Sequence, residues 1–202
     1  NNLHCQYNGP MFGFFANKKR IYLDHASATP LLPEVLRAMN AAEETFANPG
    51  AIHADGVAAK KILENARESI ARELGCKARQ IVFTSGLTES NNLAILGHAR
   101  KLQLAGEDLA GTHWIVSSIE HDSVLGCFAE IERMGGRVTF IDPEKDGRFT
   151  PEILARAIRP ETVFISIGWA NNEIGTIQPL SDLARAIRAK EGKRSIIFHG
   201  EA

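Results

Sequence analysis

Short apolar-rich runs recur through most of the chain, at Trp114 to Ser118, Arg137 to Ile141, Thr162 to Ile167 and Ser195 to His199, and each is separated from the next by turn residues and a stretch of helical periodicity. Near-continuous apolar runs of this length are the pattern of strands covered on both faces, which arises when helices connect parallel strands. Gln80 to Thr84 reads as a further short buried strand.

The intervening segments carry helix signals. From Gly56 to Leu74 the residues Ala59, Ile62, Leu63, Ala66, Ile70 and Leu74 recur at spacings of three and four, and Gly75 supplies the stop. Helices are expected from about Thr88 to Lys101, from Asp122 to Met134 before Gly135-Gly136, and from Pro179 to Lys190. Thr150-Pro151-Glu152 begins another, with Thr150 as N-cap and Pro151 in the first helical position. Alternating strands and helices predict an α/β domain with a largely parallel sheet.

Composition narrows the function classes. Hydrophobic residues make up 44% and charged residues 23%, enough for one large domain. Lys plus Arg number 23 against 24 Asp plus Glu, so no net field gathers nucleic acid or anionic lipid, and a small-molecule ligand is expected. No apolar run approaches the roughly 20 residues of a membrane span. Cys5, Cys76 and Cys127 are scattered and lack C-x-x-C spacing, which fits a reducing cytosol and argues against a zinc site. Residues 1–20 read as a tail without a secretory core; Met11 is the first methionine, and the expectation is that it is the native start and the preceding residues are extraneous.

Three polar clusters follow predicted strands, where open α/β sheets place their ligands. In Thr84-Ser85-Gly86-Leu87-Thr88-Glu89-Ser90-Asn91, glycine and hydroxyl residues open a helix whose unpaired N–H groups and dipole favour an anion such as phosphate. A Ser/Thr-capped helix with Glu89 in its first turn is the plain structural alternative. No G-x-x-x-x-G-K-[ST] or G-x-G-x-x-G motif supports nucleotide hydrolysis or dinucleotide binding. The second cluster, Ser117-Ser118-Ile119-Glu120-His121-Asp122-Ser123, sets His121 in a turn, as an acid, base or stacking surface, or simply as a solvated or helix-capping histidine. The third, Trp169-Ala170-Asn171-Asn172-Glu173-Ile174-Gly175, offers amides that either make a turn or meet a phenolic oxygen or carboxylate.

In order, Ile21-Tyr22-Leu23-Asp24-His25-Ala26-Ser27-Ala28-Thr29-Pro30, Phe46-Ala47-Asn48-Pro49 with His53, Ile81 to Asn92, Glu120-His121 and Asn171-Asn172-Glu173-Ile174-Gly175 resemble the NifS/IscS-like cysteine desulfurases of the class V aminotransferases. The resemblance covers Ile21 to Ala202. It implies the N-terminal portion of a three-layer α/β large domain of the type I pyridoxal-phosphate transferase fold, with a mostly parallel mixed sheet incomplete at its C-terminus. It also implies pyridoxal 5'-phosphate as cofactor, with Gly86, Leu87 and Thr88 at its phosphate, His121 stacked on its ring and active in proton transfer, and Asn172 at its phenolic oxygen.

The implied reaction removes sulfur from L-cysteine, giving L-alanine and an enzyme persulfide for iron–sulfur cluster or thionucleoside synthesis. A cytoplasmic homodimer serving sulfur-acceptor or scaffold proteins is implied with it. The family's H-x-D-A-x-Q motif appears here as His199-Gly200-Glu201-Ala202, so Glu201 falls where an aspartate pairs with the ring nitrogen. After Asn48-Pro49 the chain has Gly50-Ala51 where serines are frequent. The Schiff-base lysine and the catalytic loop cysteine have no counterpart; Lys190 and Lys193 read as surface residues and Cys127 as core. The chain alone is therefore expected to lack desulfurase activity. A selenocysteine lyase or another class V transaminase is the sibling alternative, and a non-catalytic binding or assembly fragment is the alternative of another class.

Overall fold

The structure is a computed structural model that describes residues 21–192 and 194–201. The expectations for the tail, Met11, Cys5 and Lys193 fall outside the described residues. Two compact units divide the chain, Asn1–Phe83 and Thr84–Ala202.

In the first unit, Pro33 occupies the first turn of α1 (Pro33–Glu43), where its missing N–H is not needed, and Glu34 complements the positive end of the helix dipole. The periodicity from Gly56 is realised in α2 (Ala54–Glu73), whose first turn is capped by the His53 ring accepting from the Gly56 N–H. Gly75 follows at φ 64°, the left-handed conformation that ends a helix.

Gln80 to Thr84 does not form the expected strand. Ala78–Gln80 closes a 3-10 turn, with the Gln80 side chain accepting from the Lys77 N–H at 2.9 Å. The following residues carry no sheet ladder, and Val82 and Phe83 are exposed rather than buried. A strand is stabilised by its neighbour, and an apolar run alone does not supply one.

The second unit begins with α3 (Leu87–Leu104) and continues through β1 (His113–Ser117), α4 (Asp122–Arg133), β2 (Arg137–Ile141), α5 (Pro151–Ala157), β3 (Thr162–Ser166), α6 (Leu180–Lys190) and β4 (Ile197–His199). The sheet order is β2-β1-β3-β4, and every pairing is parallel. β1 and β3 are buried along their whole length, as near-continuous apolar runs require. β2 and β4, each with one neighbour, are only partly covered.

Alternate residues of the central strands face opposite cores. Trp114, Val116 and Phe164 pack with Ile95 of α3 and with Val124, Phe128 and Ile131 of α4. Ile115, Ile165 and Ile167 pack with Leu154 of α5 and with Leu183 and Ile187 of α6. The unit is therefore a three-layer helix–sheet–helix arrangement. The chain leaves β1 for β2 on one side and returns to β3 on the other, so the carboxyl ends of β1 and β3 form the crevice where such sheets bind ligands. No described helix is long and apolar enough to cross a membrane.

Candidate functional site

The sheet order brings the turns after β1, β3 and β4 side by side. They enclose a concavity lined by Ser117, Glu120 and His121 after β1, Gly168 and Asn172 after β3, and Glu201 after β4. The concavity is small, with a cavity volume of ≈ 40 Å³, and it opens to solvent. Three of the residues singled out in the sequence, His121, Asn172 and Glu201, thus meet in one place.

Each arrives by a different local device. His121 is the N-cap of α4, with Nδ1 accepting from the Ser123 N–H at 3.1 Å and lying 2.8 Å from Ser123 Oγ. Glu201 continues the parallel pairing beyond β4, its carbonyl accepting from the Trp169 N–H at 2.7 Å. The two asparagines divide the work. Asn171 makes the turn, its Oδ1 accepting from the N–H groups of Glu173 and Ile174, while its Nδ2 donates to the Ile119 carbonyl and ties this loop to the β1 turn. Asn172, relieved of that role, is exposed on the lining.

Gly86, Leu87 and Thr88 do not line the concavity. They open α3, where Gly86 at the N-cap has extended backbone and no side chain caps the helix. Its value at this place is the absence of a capping group, which leaves first-turn N–H groups open to an anion. Thr88 adds an exposed hydroxyl. Glu89 accepts from the N–H and Oγ of Ser85, at 2.7 and 2.6 Å, and the Ser85 hydroxyl holds its carboxyl below the ordinary carboxylate range. The Ser/Thr cap of the plain structural alternative is therefore not formed, although Glu89 does stand in the first turn, braced against Ser85.

α3 is joined to the concavity by a residue that sequence reasoning passed over. Asn91, 1% exposed and one turn beyond Thr88, donates from Nδ2 to Ser123 Oγ at 2.9 Å and to Glu201 Oε2 at 3.2 Å. Glu120 was also unassigned. Its Oε1 accepts from the Gly168 N–H at 2.8 Å, and burial, reinforced by the charge of Glu201, raises its carboxyl above the usual value. Gln178, buried, braces the wall through the Phe149 N–H and the Gly147 carbonyl. Cys127 donates to the Ser123 carbonyl, and burial raises its thiol, so it is a core group as expected.

The concavity offers a carboxylate, an exposed amide and an imidazole, a donor and acceptor set that suits a flat nitrogen-containing ring, and the open N-terminus of α3 lies outside its lining. Among the described residues, neither lysine nor cysteine lines the concavity.

The chain matches the Aminotransferase class-V family over residues 21–197. It is 42% identical over 186 residues to cysteine desulfurase IscS of Dictyoglomus turgidum, covering 92% of this chain and 45% of that protein. It is 43% identical over 185 residues to the IscS of Methanosarcina thermophila, covering 91% of this chain and 44% of that one. Among solved structures it is similar to SspA in complex with cysteine, at 39% identity and TM-score 0.80 over 90% of this chain and 50% of that one. A NifS-like protein aligns at 31% identity and TM-score 0.83, over 91% of this chain and 49% of that one. The chain spans about half the length of the relatives it matches. Sequence and fold agree, and the chain belongs to the class V aminotransferase family.

Proposed function

We propose that the chain carries most of the cofactor cradle of a pyridoxal-phosphate-dependent cysteine desulfurase. The observation that supports this most directly is the meeting of His121, Asn172 and Glu201 at adjacent strand ends, with the open N-terminus of α3 tied in through Asn91. Gly86, Leu87 and Thr88 would hold the phosphate, Asn172 the phenolic oxygen and Glu201 the ring nitrogen, while His121 would cover the ring face. When bound, the cofactor supplies an electron sink for the substrate α-carbon.

The remaining work falls to side chains. Glu201, as a carboxylate, would keep a proton on the ring nitrogen through a charge-assisted hydrogen bond. The Asn91 amide holds this carboxylate at Oε2. His121 would move a proton at the substrate. The whole protein is read as acting on L-cysteine in the cytoplasm as a homodimer, passing sulfur to scaffold or carrier proteins. Because no lysine or cysteine among the described residues lines the concavity, the 202-residue chain alone should bind the cofactor without turning over substrate.

Trp169, exposed and adjacent to Gly168 of the lining, provides the reporter. Titration with pyridoxal 5'-phosphate should quench tryptophan fluorescence saturably, pyridoxal without the phosphate should bind at least tenfold more weakly, and Thr88→Ala should reduce this difference. No sulfide should appear with L-cysteine and a reductant. Equal binding of the two aldehydes, or an unchanged difference in Thr88→Ala, would overturn the placement of the phosphate at α3.

A further inference from the structure

We propose that Asn91 is a positioning residue: through Ser123 it fixes the neutral His121 ring with its proton on Nε2, and with its second hydrogen it anchors Glu201 at the same concavity. The consequence for chemistry rests on the cofactor reading above; the hydrogen-bond logic does not.

Burying an amide to 1% exposure is unfavourable unless its polar atoms are paired. Asn91 Nδ2 meets both Ser123 Oγ and Glu201 Oε2. An amide nitrogen carries two hydrogens and accepts none, and an ionised carboxylate only accepts. Both hydrogens are thereby engaged, and the nitrogen rather than the amide oxygen must face Glu201.

The direction of the next bond follows. Ser123 Oγ accepts from Asn91, so its own hydrogen is left to donate to His121 Nδ1 at 2.8 Å. The Ser123 backbone N–H reaches the same nitrogen at 3.1 Å. A ring nitrogen facing two donors is bare, so the proton of the neutral imidazole resides on Nε2. In its neutral form His121 therefore offers a ligand an N–H donor at Nε2. A tautomer with the proton on Nδ1 would require the Ser123 hydroxyl to turn away and the contact with the Ser123 N–H to be lost. One amide thus coordinates three features brought from distant parts of the chain: the helix that opens at Gly86, the imidazole after β1 and the carboxylate after β4.

The test reads the tautomer directly and needs no cofactor. In uniformly 15N-labelled protein at pH 8, long-range 15N–1H correlation of the histidine rings, with His121→Gln supplying the assignment, should show His121 predominantly as the Nε2–H form. Asn91→Asp keeps the volume but replaces the donor with an acceptor, so the Ser123 hydroxyl turns toward it and Nδ1 loses one of its two donors. The ratio of Nε2–H to Nδ1–H should then fall about fivefold, the worth of one net hydrogen bond. If Asn91→Asp does not fold, as judged by tryptophan fluorescence, Ser123→Ala removes the same donor at the adjacent position and should lower the ratio similarly. A wild-type ring protonated on Nδ1, or a ratio unmoved in the folded variant, overturns the proposal. Failure of pyridoxal 5'-phosphate to bind while the tautomer shifts as expected would sink the functional reading and leave this one standing.

Discussion

The two units of the chain treat apolar side chains in opposite ways. In the unit from Thr84 onward, Trp114, Ile115, Phe164 and Ile165 are at most 1% exposed, each within one of two cores that flank the sheet. In the unit that ends at Phe83, α1 buries no residue, and Leu36 and Met39 are about half exposed at 49% and 52%. An apolar stripe is a statement of what a helix can bury, and only the packing partner decides whether it does. The stability of this chain should therefore respond very unequally to the same kind of truncation.

The largest expected effect comes from testing that inequality directly. Phe164 touches Trp114, Phe128 and His199 through its ring, with centroid distances of 5.3, 6.2 and 5.9 Å. Phe164→Ala removes these contacts and leaves a cavity, and should cost about 3–5 kcal/mol. Leu36→Ala, on the exposed face of α1, should change stability by no more than about 0.5 kcal/mol. Urea unfolding followed by tryptophan fluorescence for the first variant and far-UV circular dichroism for the second measures both. Comparable losses would mean that the apolar face of α1 is covered in solution.

Sequence reading fared differently in the two units for the same reason. Thr150-Pro151 was legible because an N-cap is a local device, and Thr150 Oγ1 does accept from the Ile153 N–H. Gly75 and Gly135 were legible as helix stops, and both adopt positive φ. α1 went unread, although Pro33 and Glu34 were its signal, and Gln80 to Thr84 was read as a strand although strand formation depends on a neighbour. At the site, His121 and Asn172 stand in polar clusters after predicted strands and Glu201 is reached through the resemblance to the family's H-x-D-A-x-Q motif, and the structure brings all three to one concavity. The role of Asn91 could not be read in either way. Its partners lie 32 and 110 positions away, and only the strand order and register bring them within reach.

The next effect exploits a polar group inside the better-packed unit. His113 is fully buried between Thr162 and Thr139, each hydroxyl 2.8 Å from a ring nitrogen. Burial, with help from Arg159 and Arg137, lowers its pKa to about 4 from the ordinary 6.5. A depressed folded-state value means that the unfolded chain binds the proton more readily. The stabilisation is full above the unfolded value and is lost as pH falls from about 6.5 through about 4, up to about 3 kcal/mol in all. Glu120 acts in the opposite sense, because burial raises its carboxyl: its contribution is full below the ordinary carboxylate value and declines as pH rises through its folded value. His113→Gln should therefore flatten the acid limb of the stability profile, measured by urea unfolding between about pH 4 and 7. A profile unchanged by the substitution would remove His113 as the cause.

The smallest expected effect marks where the contrast between the units stops. The first unit is not slack throughout, since Gly56 in the first turn of α2 is packed against the loop before it. A Cβ there would lie 2.6 Å from the Ala51 carbonyl oxygen and 2.9 Å from that of Asn48. These are backbone atoms, and they cannot swing aside as the end of a long side chain can. Gly50 is itself held in that loop, its N–H donating to Asn48 Oδ1 at 2.9 Å. Gly56→Ala gains helix propensity but has to displace the loop, and overpacking of this kind costs about 1–3 kcal/mol. Far-UV circular dichroism during urea unfolding should show the loss, whereas Gly97→Ala, in α3 with nothing within 4 Å of its Cβ position, should be neutral or stabilising. If the two substitutions behave alike, the loop from Asn48 to Ala51 yields in solution.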